Sequence, residues 1–258
     1  MTILAKVAHI KPIIKKNKQR SLTLIPYFFT FANAILGLLA VFKALDCEYI
    51  AAAYCILLAA FFDVLDGRVA RALGTSSILG MELDSLSDAI SFCVAPVVLL
   101  YSYEVQDFGT LGFIVLAIYL CSGIFRLAKF NINSANQNNF FSGLPTPVAA
   151  FFLTTLVLYH DWLQVSPAKF LLYKYVLFAL LIFISFLMIS KIKFPAFKQN
   201  KLRKSFYILF ACLFVSFFIF RDYPLLMFLV LLYILSGCSH GCYLGAKRLK
   251  CKIRNNFN

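Results

Sequence analysis

From about residue 23 to residue 190 the sequence is a succession of apolar runs, each near the length a helix needs to cross a bilayer, and no fold can leave them in water. A spanning helix takes about 20 residues, with a range of about 17–25. Runs of this kind fall at 23–42, 49–65, 86–103, 109–125, 146–163, 170–190, 205–220 and 224–243. Hydrophobic residues make up 62% of the 258, well above the roughly 45–50% of an ordinary soluble domain. The expected fold is therefore an all-α polytopic membrane bundle of about eight spans, with no soluble domain attached. The expected organisation is a basic amino-terminal segment (1–22), a six-span catalytic domain (23–190), a basic loop (191–204), two further spans (205–243) and a basic tail (244–258).

The net charge of +14 would otherwise raise the question of nucleic acid. Its distribution answers differently. Of the 25 Lys and Arg, all but Lys43, Lys169, Lys174 and Arg221 fall in every second segment outside the spans, and so on one side of the membrane. Cytoplasmic loops carry such an excess. The bias puts both termini on the cytoplasmic side, with anionic headgroups as partners for some of the charge, and nucleic-acid binding is not expected. The first 20 residues lead into a full-length span with no small-residue cleavage site, so a removable signal peptide is not expected. The short loops fit a bacterial inner membrane. The eight cysteines include no CxxC pair, and neither a disulfide framework nor a zinc site is expected. His9, His160 and His240 have no partner pattern.

Against this apolar background, four aspartates stand in one window: Asp63, Asp66, Asp84 and Asp88. Carboxylates in or beside a membrane span are costly and mark function. Asp63 and Asp66 share a helical face at i, i+3, and Asp84 and Asp88 at i, i+4. Gly67 and the stretch Gly74 to Ser77 are expected to form the turn that brings the two pairs together at the cytoplasmic ends of spans 2 and 3. Clustered carboxylates repel, and divalent cations relieve that repulsion. Oxygen-only ligands suit Mg²⁺, Mn²⁺ or Ca²⁺. Two such ions can clamp a phosphoryl group in transfer, with Gly67 permitting close approach and Arg68 and Arg71 able to pair with phosphate. Residues 126–147, polar and Asn-rich, and the basic residues 191–204 are expected to be inner loops.

The window resembles the signature of the CDP-alcohol phosphotransferases, D-x₂-D-G-x₂-A-R-x₈-G-x₃-D-x₃-D. It matches at Asp63, Asp66, Gly67, Ala70, Arg71, Gly80, Asp84 and Asp88. Span 1 adds Pro26, Thr30, Asn33 and Gly37, similar to the family's first-helix pattern. Three stretches resemble the branch of the family that uses L-serine: Leu83 to Pro96, Arg126 to Asn131, and Phe141 to Ala150. That branch usually has Gly where this chain has Cys93.

The resemblance implies transfer of a phosphatidyl group from CDP-diacylglycerol to a hydroxyl, that of L-serine in this branch, with CMP leaving. It implies two divalent cations, Mg²⁺ or Mn²⁺, at Asp63, Asp66, Asp84 and Asp88, with Asp88 also the general base. It implies CDP contacts from Thr30, Asn33, Gly67, Arg71 and Gly80, and a homodimer. Arg126, with Lys129 and Asn131, is the expected site for the serine carboxylate. Gly143, Pro145 and Pro147 are expected to shape a turn without chemistry of their own. The weighed alternatives are a sister enzyme with glycerol 3-phosphate, inositol phosphate or choline as acceptor, an intramembrane prenyltransferase, and a cation transporter.

Overall fold

The computed structural model describes residues 3–75, 77–135, 143–163, 167–190 and 231. Among these residues the secondary structure is helical throughout, with no strand. The elements are α1 (Ile3–Leu45), α2 (Tyr49–Leu73), α3 (Ile78–Asp88), a π-helical turn (Ala89–Val94), α4 (Ala95–Tyr103), a 3₁₀ turn (Val105–Phe108), α5 (Gly109–Ala135), α6 (Thr146–Leu163) and α7 (Pro167–Ile189). Among the described residues, four stretches are long and apolar enough to cross a membrane: Leu24–Leu45, Tyr49–Leu73, Ile78–Tyr103 and Val105–Ile132. Thr146–Tyr159 and Tyr175–Ile189 are shorter apolar helices. The expected all-helical membrane bundle is what forms. The expected spans at 205–220 and 224–243 and the basic loop at 191–204 lie outside the described residues.

Several expected boundaries move. The second span continues to Leu73, and the third begins at Ile78 rather than 86. Gly67 is therefore inside α2 and takes no part in the turn, which lies between Leu73 and Ile78. The segment from 126 is not a loop at its start, because α5 runs on to Ala135. At Asn131 the polar stretch stays helical because the side chain bonds across to Glu82 and Ser85 of α3.

Packing follows from where small residues fall. On α1, Phe28, Phe31, Ile35, Leu38 and Phe42 recur every three or four residues and are exposed, the stripe expected to face lipid. The opposite stripe, Thr30, Asn33, Gly37, Ala40 and Ala44, is closed against the bundle. On α2 the buried face is Ala52, Ala53, Ile56, Leu57, Ala59 and Ala60. Lipid is as apolar as a helix surface, so association in a membrane rests on such close backbone approach. Gly37 is a point of close approach on α1. A Cβ there would run into the backbone and side chain of Ser91 on the π-helical turn.

The π-helical turn follows Asp88 directly. Pro96, without an N–H, cannot donate to the carbonyl of Phe92 four residues earlier. That carbonyl instead receives the buried Tyr119 hydroxyl from α5 at 3.0 Å. Ser91 Oγ donates to the carbonyl of Asn33 on α1 at 2.8 Å. The turn is thus tied to both flanking helices. Other buried hydroxyls close onto their own helices: Thr154 Oγ1 donates to Ala150 O at 2.7 Å and Ser185 Oγ to Leu181 O at 2.7 Å. This is the usual resolution for hydroxyls in a medium without water. At the other end of α1 and α2, Lys43 pairs with Glu48 at 2.8 Å across a turn where Cys47 is left-handed (φ 61°). Tyr49 donates from its hydroxyl to Ser102 O at 2.9 Å. Cys47, Cys55, Cys93 and Cys121 are free thiols.

Replacing Gly37 by Val is expected to lower stability by about 1–3 kcal/mol, the usual cost of overpacking. Thermal unfolding of the detergent-solubilised protein measures this, with Ile35→Val on the exposed stripe as the control. Equal melting temperatures for the two variants would contradict the close α1–π-turn contact.

Candidate active site

Three helices converge on the acidic cluster. α2 presents Asp63 and Asp66, α3 presents Asp84 and Asp88, and α1 crosses both with Thr30 and Asn33. Gly74, left-handed at φ 64°, ends α2. Ser77 starts α3, its Oγ accepting from Gly80 N at 3.0 Å. The hydroxyls of Tyr27 and Ser77 are 3.1 Å apart, which fastens α1 to the same turn. A short, capped turn of this kind leaves the two carboxylate pairs no room to separate.

Asp63, Asp66 and Asp84 each place one carboxylate oxygen within 4.8 Å of the others. Asp88 stands one helical turn on from Asp84 and interacts electrostatically with Asp63, Asp84 and Asp66. Asp66 and Asp88 are only 4% and 7% exposed. Each is oriented by α1: Thr30 Oγ1 donates to Asp66 Oδ2 at 2.9 Å, and Asn33 Nδ2 donates to Asp88 Oδ1 at 3.2 Å. One polar side chain of α1 therefore serves α2, and the next on the same face serves α3.

Like charges this close in a poorly hydrated bundle repel strongly. Oδ1 of Asp84 is buried with no hydrogen-bond partner, a condition that a ligand must satisfy. Three carboxylates, oxygen donors only, with one oxygen lacking a partner, fit a hard divalent cation. The described residues thus contain an acidic group able to hold such an ion at Asp63, Asp66 and Asp84.

The other residues singled out in the sequence fall around this centre at different depths. Gly67 and Arg71 share a face of α2, where a Cβ on Gly67 would lie 3.6 Å from the Arg71 guanidinium. Arg71 acts electrostatically on Asp84. A Cβ on Gly80 would come 3.2 Å from Ser77 Oγ and 3.4 Å from the Tyr27 ring. The missing side chain there lets the α1 aromatic and the α3 cap close together.

Arg126, Lys129 and Asn131 lie on the final turns of α5. Arg126 Nη1 donates to Thr146 Oγ1 at 2.8 Å, and Lys129 is half-buried. Asn131 bridges to α3: its Nδ2 donates to Glu82 Oε2 at 3.1 Å and its Oδ1 accepts from Ser85 Oγ at 2.9 Å. Sequence reasoning missed Tyr27, Glu82, Ser85, Ser91 and Thr146, and took Ser77 only as part of the turn. Only Ser77, as a helix-starting Ser after Gly74, carried a local signal.

An integral membrane bundle with an acidic cation-competent site at the meeting of three helices defines the class of protein. Over residues 23–189 the sequence matches the CDP-alcohol phosphatidyltransferase family, and the chain belongs to that family. It is a membrane-embedded transferase. It is 33% identical over 231 residues to a Helicobacter pylori (strain ATCC 700392 / 26695) protein named CDP-diacylglycerol–serine O-phosphatidyltransferase, covering 88% of this chain and 94% of that one. It is 35% identical over 176 residues to the Bacillus subtilis (strain 168) protein of the same name, covering 68% and 92%. An archaetidylserine synthase of Methanothermobacter thermautotrophicus is 37% identical over 185 residues, covering 71% and 74%.

Titrating the purified protein with Mn²⁺, followed by electron paramagnetic resonance, is expected to show binding that Asp84→Asn abolishes. Thr30→Val, which removes the hydrogen bond to Asp66, is expected to weaken binding by about 10–100-fold, as loss of a group that orients a ligand does. Unchanged affinity in Thr30→Val would show that α1 does not orient the site.

Proposed function

We propose that this chain is a CDP-diacylglycerol–serine O-phosphatidyltransferase, moving the phosphatidyl group of CDP-diacylglycerol to the hydroxyl of L-serine. The reading is carried by one observation. A carboxylate oriented by Asn33 stands beside the acidic triad, in a chain that matches, over nine-tenths of its length, a relative named for this reaction.

The serine hydroxyl oxygen forms a bond to the phosphorus that bears diacylglycerol. The bond from that phosphorus to the oxygen of CMP breaks, and its electron pair leaves with CMP. The hydroxyl proton goes to Asp88. An aliphatic hydroxyl is a poor nucleophile at neutral pH, and a positioned base is worth about 10²–10⁴-fold. The Asn33 hydrogen bond to Asp88 Oδ1 fixes the carboxylate plane.

Asp63, Asp66 and Asp84 would hold two divalent cations, Mg²⁺ or Mn²⁺, with Asp88 at their edge. When bound, the cations would supply positive charge that offsets the negative charge of the diphosphate and stabilises departing CMP. Arg71, beside Gly67, adds a fixed guanidinium on the phosphate side. Gly80, where Tyr27 and the Ser77 cap close together, sets the edge of the nucleotide site at the first turn of α3, and Thr30 and Asn33 border it from α1. Arg126, with Lys129 and Asn131 near it, takes the serine carboxylate. The lysine and arginine bias turns this site toward the cytoplasm of a bacterial inner membrane. The donor enters sideways from the inner leaflet, and the working unit is a homodimer.

The purified full-length protein, given CDP-diacylglycerol and a panel of alcohols, is expected to release CMP with L-serine and to stop when a chelator is added. Release with glycerol 3-phosphate or inositol phosphate instead would replace serine as the acceptor. Asp88→Asn is expected to lower CMP release by about 10²–10⁴-fold while nucleotide binding persists. Normal turnover in that variant would refute the base assignment.

A further inference from the structure

We propose that Thr146 is a positioning residue for the acceptor, acting through Arg126; this rests on the reading above in which Arg126 takes the serine carboxylate. Nη1 of Arg126 donates to Thr146 Oγ1 at 2.8 Å. Thr146 is fully buried, with 0% exposure, at the start of α6. A guanidinium is a rigid planar fork, so fixing one nitrogen fixes the plane in which all its N–H groups point. A hydroxyl does this without neutralising the charge, whereas a carboxylate in its place would compete with an anionic ligand. The choice of threonine suits a cation that must be held still and yet stay attractive to a carboxylate.

Thr146 is itself held from below. Gly143 is left-handed at φ 89°, and a Cβ there would collide with the carbonyl oxygen of Met188. Leu144 N donates to Leu187 O at 3.1 Å. The stretch from Gly143 to Thr146 is thus pinned to the end of α7, and α6 is anchored where it begins. The guanidinium of α5 rests on a support built from two other helices.

Arg126 and the base are linked through the packing of the elements that carry them. Cys93, on the π-helical turn, has its sulfur packed against Gly123, one turn before Arg126. The turn that follows Asp88 is therefore packed against the helix that carries Arg126, so base and guanidinium stand on adjoining elements. A guanidinium free to swing would lose serine without disturbing the lipid donor, whose diphosphate lies over α2 and α3 in this reading.

The test is steady-state kinetics of the full-length protein in mixed micelles, with KM measured separately for L-serine and CDP-diacylglycerol. Four variants are compared: Arg126→Ala, Thr146→Val, Thr146→Cys and Thr146→Ser. Thr146→Val is expected to raise the serine KM by about tenfold or more, as loss of a hydrogen bond to a charged group does, with the lipid KM within about twofold of wild type. Thr146→Ser keeps the hydroxyl and is expected to restore the serine KM. Thr146→Cys is close in size and a weak acceptor, and is expected to behave as Thr146→Val; it replaces that variant if Thr146→Val does not fold. A wild-type serine KM in Thr146→Val or Thr146→Cys, beside a raised one in Arg126→Ala, overturns the role of Thr146 and leaves Arg126 in place. Both KM values rising together, kcat alone falling, or no recovery in Thr146→Ser also overturns it. An unchanged serine KM in Arg126→Ala sinks the underlying assignment of Arg126 and this inference with it.

Discussion

The mutual repulsion of carboxylates inside a helical bundle is the constraint around which this molecule is arranged. Asp63, Asp66 and Asp84 crowd their oxygens within 4.8 Å, where water is scarce. Left alone, such a group would push α2 and α3 apart. Two features oppose that. The short turn between Leu73 and Ile78, capped by Ser77, ties the helices at one end. α1 lies across both and donates to one carboxylate of each. The remaining imbalance is one that a cation would remove, and the buried Oδ1 of Asp84 stands where such an ion would find a ligand. Stability and chemistry are then two aspects of the same charge problem.

The packing of α1 serves this arrangement. Its lipid-facing stripe carries bulky side chains, and its inner stripe carries Thr30, Asn33, Gly37, Ala40 and Ala44. Only because Gly37 has no side chain can α1 sit against Ser91, whose hydroxyl bonds the carbonyl of Asn33. That contact sets the depth at which the Asn33 side chain meets Asp88. π-helical turns recur at functional sites, and here one follows the last carboxylate directly. Pro96 and Tyr119 account for its irregular backbone, since the proline removes a donor and the tyrosine hydroxyl supplies one.

Much of this was legible in the sequence. The apolar runs gave the helical membrane architecture, because little besides a helix satisfies its own backbone in lipid. The four aspartates were legible because their spacing, three and four apart, is the spacing of a helix face. The helix limits were harder. Asp84 and Ser85 looked too polar for a span, which was expected to begin at 86, yet α3 runs through them from Ile78, since the polar face turns inward. The stretch after Arg126 looked like a loop from its asparagines, yet α5 continues, and Asn131 spends its amide on Glu82 and Ser85. Gly67 looked like a turn residue and is helical. The partnership of Arg126 with Thr146 left no trace in spacing, because it joins two helices across a segment whose prolines and glycine drew the eye instead.

The central claim is that the carboxylates of α2 and α3 jointly hold a divalent cation under the cover of α1. Anomalous diffraction from crystals of the full-length protein grown with Mn²⁺ tests it most directly. The account predicts a peak among Asp63, Asp66 and Asp84, with Thr30 still bonded to Asp66. A map in which manganese lies elsewhere, or in which the three side chains point apart with no density among them, would contradict it.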